Sequence, residues 1–151
     1  MAKILFVHHS PSSNTRTLSD TAIAAVRKVP DVTLISCDSL TATVDDVLAC
    51  DGLLLGTTEN FGSIAGLTKD FFERIYYPCE HQTEGLPFAA YVRAGIDGAG
   101  SVAAISRMTS GLRWRAIQET CVLQGSYHAD FEEKVADLAQ TLAAGVDAGI
   151  F

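Results

Sequence analysis

Apolar residues along this chain fall into two alternating rhythms, short unbroken runs and stripes spaced by three or four. The first kind suits a strand buried on both faces and the second suits an amphipathic helix. Lys3 to His8 (KILFVH) is a run of the first kind. From Thr15 onward, Leu18, Ala22, Ala25, Val26 and Val29 recur at helical spacing, and Pro30 closes the segment. Val32 to Ile35 reads as a second strand. A short helix over Val44 to Cys50 follows, with Thr43 as its cap and Asp46 three residues on. Gly52 then releases the chain into Leu53-Leu54-Leu55, a third buried strand.

The second half repeats the alternation. Leu67, Phe71 and Ile75 share a helical stripe that Pro78 is expected to end. Phe88 to Val92 is a fourth strand, entered through Pro87, where a missing N–H is tolerated. Val102, Ile105, Met108 and Leu112 mark a further helix, with Gly111 as its expected left-handed stop. A weaker strand covers Ile117 to Leu123, and Asp130 is expected to cap a last helix carrying Phe131, Val135, Leu138 and Leu142.

Strand and helix therefore alternate five times, without repeat, linker or low-complexity tract. That pattern predicts a doubly wound parallel sheet with helices on both faces, because a right-handed crossover carries each strand to the next. The strand order expected for five strands is 2-1-3-4-5, in a three-layer α/β/α arrangement. Residues 1–151 are long enough for one domain with a core of its own. Such sheets bind ligands beyond the carboxyl ends of their strands, near the switch point between strands 1 and 3. Function is thus expected on three loops: Ser10–Thr15, Thr57–Gly66 and Gly95–Ser101.

Charge narrows the classes. Lys and Arg number 11 against 18 Asp and Glu, for a formal net charge of −7. With no basic run, nucleic acid is not an expected partner. No apolar stretch reaches the roughly twenty residues of a membrane span. The start, Met-Ala-Lys and then strand-like residues, lacks a signal peptide's long apolar region, which predicts a cytoplasmic protein. Cys37, Cys50, Cys79 and Cys121 are scattered, with no Cys-x-x-Cys pair, and are expected to be reduced structural thiols; no metal site is expected.

The first loop concentrates hydrogen-bonding groups. Ser10, Ser12, Ser13 and Thr15 offer hydroxyls and Asn14 an amide, where the next helix leaves its first backbone N–H groups unpaired. The helix dipole contributes about 0.3–2 kcal/mol to an anion held there. Each hydrogen bond to the charged group adds about 1.5–3 kcal/mol. The plainer reading is a helix cap and a turn, which one or two of these residues would satisfy. So many together favour phosphate.

Several owners of such a phosphate are excluded. A receiver domain wants an acidic pair after strand 1 and an aspartate ending strand 3; His8-His9 and Thr57-Thr58 stand there. Ser10 and Arg16 have the spacing of Cys-x5-Arg, but a serine hydroxyl lacks the low pKa of a phosphatase thiolate, and no Asp-Pro pair occurs. What remains is a bound phosphorylated cofactor, with FMN the natural one. The second loop, GTTENFGSIAG, includes Thr58 and Asn60 and several glycines, whose exposed backbone groups suit the edge of a flavin ring, and Phe61 can cover one ring face. The third loop, AGIDGAGS, is not G-x-G-x-x-G and follows the fourth strand, so it is no dinucleotide fingerprint. Asp97 is expected to shape its turn.

The segments His9–Arg16, TENFGSIAGLTKDFFERIYYP and GIDGAGS resemble the flavodoxin-like NAD(P)H-dependent oxidoreductases, including the FMN reductase and quinone reductase branches. The resemblance runs from Lys3 to about Leu123 and implies a flavodoxin-like fold with non-covalent FMN. It implies phosphate contacts from Ser10, Ser12, Ser13, Asn14 and Thr15. Ring contacts are implied from Glu59, Asn60, Phe61, Gly62 and Ser63, and from Gly95 to Gly100, among them Asp97 and Gly98. NADH or NADPH would be the electron donor, and a quinone-like small molecule or a redox protein the acceptor. No acid or base side chain is required, because the cofactor carries the chemistry. The alternative is a flavodoxin-type electron carrier without nicotinamide activity of its own. The third loop has no aromatic residue, which leaves one ring face open and favours a reductase. His8, His9, His81 and His128 are read as bracing or surface residues, and Trp114 as cover for the end of the sheet. Phe72, Tyr76 and Tyr77 are read as core packing first and as a possible homodimer contact second.

Overall fold

A computed structural model describes residues Met1–Phe151. One parallel sheet runs through it, built from β1 (Ala2–His8), β2 (Val32–Asp38), β3 (Gly52–Asn60) and β5 (Pro87–Ala94), in the order β2-β1-β3-β5. Beyond β5 the last position is shared by two short strands, β6 (Arg115–Ala116) and β7 (Cys121–Gln124), both parallel to β5. This is the expected order, with two departures.

The first departure is that the fifth strand is broken. β6 pairs with Pro87 and Phe88, β7 pairs with Tyr91 to Ala94, and Gln118-Glu119-Thr120 lie between them outside any strand. A polar triplet on a sheet edge has no apolar face to bury, and interruption keeps that edge short. The second departure lies in the second loop. β3 runs on through Thr57 and Thr58, both buried, and turns back as β4 (Ser63–Ile64), antiparallel to it. The loop expected over Thr57–Gly66 is therefore largely a hairpin.

Each central strand is buried on both faces because each face meets helices. Leu5, Val7, Leu53, Leu55 and Val92 pack under α2 (Val44–Ala49), α3 (Gly66–Cys79) and α4 (Ala99–Gly111). Ile4, Phe6, Leu54, Tyr91 and Leu123 face α1 (Ser13–Arg27) and α5 (Asp130–Asp147), whose Leu18, Ala22, Val135 and Leu138 complete that layer. Full burial of each large apolar side chain is worth about 1.5–3 kcal/mol. Gly56, in β3, leaves room for a neighbour: a Cβ there would lie 2.4 Å from the Tyr91 ring.

Helix ends depart from expectation in three places. Pro78 lies inside α3, which continues to Cys79 and closes with Glu80 N–H donating to Tyr76 O. In the last turn its missing donor forfeits one bond rather than breaking the helix. Gly111 is not left-handed; Arg113 takes that conformation (φ 59). Gly111 is instead a contact glycine, since a Cβ there would lie 2.1 Å from the Tyr76 hydroxyl. Asp130 is not a cap. Its own N–H donates to His128 Nδ1 at 3.1 Å, and its carboxylate joins Glu132 and Glu133 in the first turn of α5, where acids suit the dipole. Thr43 and Asp46 do form the expected capping box at α2. Trp114 is buried against Phe72 and Phe88, its Nε1–H donating to Thr83 Oγ1. Phe72 is core, whereas Tyr77 is 80% exposed. No helix is long and apolar enough to cross a membrane.

Candidate functional site

The carboxyl ends of β1, β3 and β5 deliver the three loops to one edge of the sheet. At the first, Ser12 is the N-cap of α1. Its Oγ accepts from Thr15 N–H at 3.2 Å, and Thr15 Oγ1 accepts from Ser12 N–H at 2.9 Å. The plainer reading of these two hydroxyls is thus correct as far as it goes: they cap the helix reciprocally. Capping orients the first turn and leaves the N–H groups of Ser13 and Asn14 without an intrahelical acceptor.

Ser10 is turned away. Its Oγ lies 3.1 Å from His8 Nδ1 and 3.0 Å from Ser19 Oγ, to which it donates. Ser19 in turn donates to Thr15 O and Arg16 O. Each hydroxyl has one proton, so the chain runs one way and His8 must be the donor to Ser10, as its Nδ1–H tautomer. Burial holds the His8 imidazole below its ordinary pKa, with Asp38 and Asp20 pulling the other way, and favours the neutral ring, which lies tilted against Phe6 at 4.9 Å between centroids. Ser10 and His8 therefore brace the loop from behind.

The hairpin forms the second wall. Phe61 (φ 52) and Gly62 (φ 72) occupy its two central positions, both left-handed, as a two-residue turn of the primed type requires. Phenylalanine is a costly choice there, and its side chain is fully exposed. Thr58 Oγ1 donates to Asn60 Oδ1 at 2.5 Å, which leaves the Asn60 amide N–H groups free to donate elsewhere.

Glu59 links the second loop to the third. One carboxylate oxygen accepts from Ile96 N–H and the other from Gly98 N–H, each at 2.7 Å. Asp97 accepts from Ala99 N–H at 3.0 Å, shaping the turn as expected. Gly98 is left-handed (φ 70) and packs against Val122, while Gly100 packs against the hairpin tip. Ser101 Oγ–H donates to Ser63 O at 2.9 Å. These glycines serve close packing between loops.

Between the walls lies a cleft of about 320 Å³. Pro11, Ser12, Asn14 and Thr15 line it from the first loop, Thr58, Glu59 and Asn60 from the hairpin strand, and Arg93 and Gly95 from the end of β5. Of the anticipated residues, Ser10, Ser13, Phe61, Gly62, Ser63, Asp97, Gly98 and Gly100 lie outside it. Phe61 stands at the hairpin tip, and Ile96, 63% exposed, presents a second apolar side chain from the third loop. Arg93 lay outside every site span the sequence marked, and Ile96 entered only within the stretch Gly95 to Gly100. The signal for Arg93 was a lone charge ending an otherwise apolar strand, PFAAYVRA.

A larger cavity, about 560 Å³, lies between α4 and the broken edge strand, walled by Phe88, Trp114 and Val122. It holds one acid, Glu119, and no cation, and shares no lining residue with the smaller cleft. Chemistry rather than volume selects the smaller cleft. The four cysteines are free, and burial raises the pKa of each, that of Cys50 to about 12, so none is poised as a nucleophile.

No protein-family model matches the chain. Over 112 residues, 72% of its length, it is 29% identical to a flavodoxin from Aquifex aeolicus, and the match spans 60% of that protein. A flavodoxin from the domain Archaea superposes with a TM-score of 0.81 at 13% identity, covering 96% of this chain and 99% of the other. A flavodoxin, WrbA-like protein from Agrobacterium tumefaciens gives 0.77 at 12% identity, over 98% and 99%. At such identities the likeness establishes architecture, and the architecture is the flavodoxin-like fold.

Proposed function

We propose that this chain binds FMN non-covalently and works as a flavodoxin-type electron-transfer protein. The observation that carries this reading is the polar cleft, which begins at the open N–H groups of α1 and ends beside the exposed Phe61. Its donors fit a phosphate and a polyhydroxyl chain, and the exposed apolar side chains of Phe61 and Ile96, one on each neighbouring loop, offer cover for a flat ring. The flavin supplies the redox chemistry when bound. The protein's part is to anchor the phosphate, hold the third loop through Glu59, and present Phe61. The flavodoxin from Aquifex aeolicus and the net charge of −7 support the carrier reading.

A second reading, oxidoreductase activity with NADH or NADPH as donor, is favoured by Ile96, which stands where no aromatic ring closes over the third loop. One experiment separates the two. Purified protein is incubated with FMN, desalted and examined by visible absorption, then mixed anaerobically with NADPH or NADH. Retained flavin that stays oxidised for minutes, yet titrates with dithionite in two resolved one-electron steps, is the expected result. Rapid bleaching by nicotinamide would establish the reductase, and protein that retains no flavin would remove both.

The strained turn gives a separate test. Phe61→Gly loses no packing and relieves a left-handed conformation, so the flavin-free protein is expected to gain up to about 1 kcal/mol of stability. FMN affinity is expected to fall at the same time. Thermal melts and fluorescence titration read the opposite signs, and a variant that loses stability would show the turn is not strained.

A further inference from the structure

We propose that Arg93 is the counter-charge of the cleft, a specificity residue that makes it select a phosphate monoester dianion over the same ligand without its phosphate. This rests on the FMN reading for the identity of the ligand, though not for the anion.

Arg93 is the only cation lining the cleft, which it shares with Ser12 and Asn14 of the first loop. One terminal nitrogen, Nη1, donates to Ala94 O at 3.0 Å and Leu123 O at 2.9 Å. Those two carbonyls fix the plane of the guanidinium, and neither Nε nor the other terminal nitrogen has a protein acceptor. The aromatic rings of Phe131 and Tyr127 lie 5.0 and 6.0 Å from the guanidinium carbon. No carboxylate comes within ion-pair distance of it. Glu59, the one acid lining the cleft, has committed both oxygens to Ile96 and Gly98.

This placement leaves the charge without an anionic partner until a ligand supplies one. Arg93 is half-buried on the sheet face shared by α1 and α5, whose N-termini both carry partial positive charge. The carbonyls and ring faces steady the guanidinium without neutralising it, and the acids of the first turn of α5, Asp130, Glu132 and Glu133, form no ion pair with it. An anion in the cleft would meet the guanidinium fork on one side and the first-turn N–H groups on the other. The hydroxyl loop gives shape, and Arg93 gives charge.

The test compares FMN, riboflavin and inorganic phosphate on the full chain, wild type against Arg93→Gln and Arg93→Lys, by fluorescence titration for the flavins and thermal shift for phosphate. Arg93→Gln is expected to weaken FMN about ten- to a hundredfold, the range of one charge-assisted hydrogen bond. Riboflavin affinity should be unchanged, and Arg93→Lys should fall between. Equal loss of both flavins would mean a merely structural role, and no loss of FMN would overturn the proposal outright. If wild type takes up no flavin but phosphate stabilises it and not the glutamine variant, the FMN reading fails while the anion site stands. Wild type indifferent to both FMN and phosphate overturns both. Should the glutamine variant not fold, wild-type FMN affinity must still fall steadily with added salt, and salt-independence would sink the proposal.

Discussion

Gly100→Ala is expected to lower stability by about 3 kcal/mol, and the melting temperature by about 6–12 °C for a chain of this size. A Cβ on Gly100 would lie 2.0 Å from Gly62 O, 3.1 Å from Gly62 C and 3.4 Å from Ser63 Cα. All three obstacles are backbone, so no rotamer change makes room. The hairpin tip cannot flex cheaply either, since Phe61 and Gly62 both hold the left-handed conformation that its turn demands. Nor can α4 withdraw. Ser101, next along it, is tied to Ser63 O, and Gly98 at its start lies against Val122, where a Cβ would come within 2.9 Å. The strain should surface as a displaced hairpin, hence as weakened FMN binding with Phe61 moved from its place. Gly95→Ala is the control, because nothing lies within 4 Å of its Cβ position and its φ is ordinary. Thermal melting of the two flavin-free variants decides the matter: a Gly100→Ala protein that melts within a degree of wild type would show the contact to be soft.

The contrast between these glycines shows how far a sequence can be read. Periodicity exposed the strands and helices because each is buried on one side or two, and burial writes itself into every residue of an element. Ile4 and Phe6 face one layer while Leu5 and Val7 face the other, so the run KILFVH needed no partner to be understood. Contacts between loops leave no such trace. The resemblance implies flavin contacts from Gly98 and Gly100, yet the space beside them is filled by Val122 and by the hairpin. Gly111 likewise serves the Tyr76 hydroxyl rather than a helix stop. The first loop was half legible. Its wealth of hydroxyls marked the end of β1, but which ones cap, which brace and which face the cleft depends on a chain of bonds from His8 to Ser19. Arg93 stayed hidden because a single charge at a strand end is ordinary, and only its lack of an anionic partner in space gives it meaning.

Glu59→Ala is expected to release the third loop, with a local cost of about 2–3 kcal/mol. Two charge-assisted hydrogen bonds of 2.7 Å disappear together. Each such bond is worth about 1.5–3 kcal/mol, and partial exposure of the Ile96 amide, which water can then serve, lowers the sum. The loss should be local because Glu59 touches the loop rather than the core. Amide hydrogen exchange is the fitting measurement: the Ile96 and Gly98 N–H groups should exchange more than tenfold faster, with those of β1 and β3 unchanged. Glu59→Gln should fall between, since its side-chain oxygen can still accept one bond while its NH₂ opposes the other. The resemblance to flavin reductases implies that Glu59 contacts the ring; the structure gives its oxygens another task, and the two roles differ in the absence of flavin. A side chain that only touched the ring would leave exchange in the flavin-free protein unaltered and change FMN affinity alone. One that holds the loop changes both, because in the proposed FMN site the third loop must already be in place for the cofactor to bind.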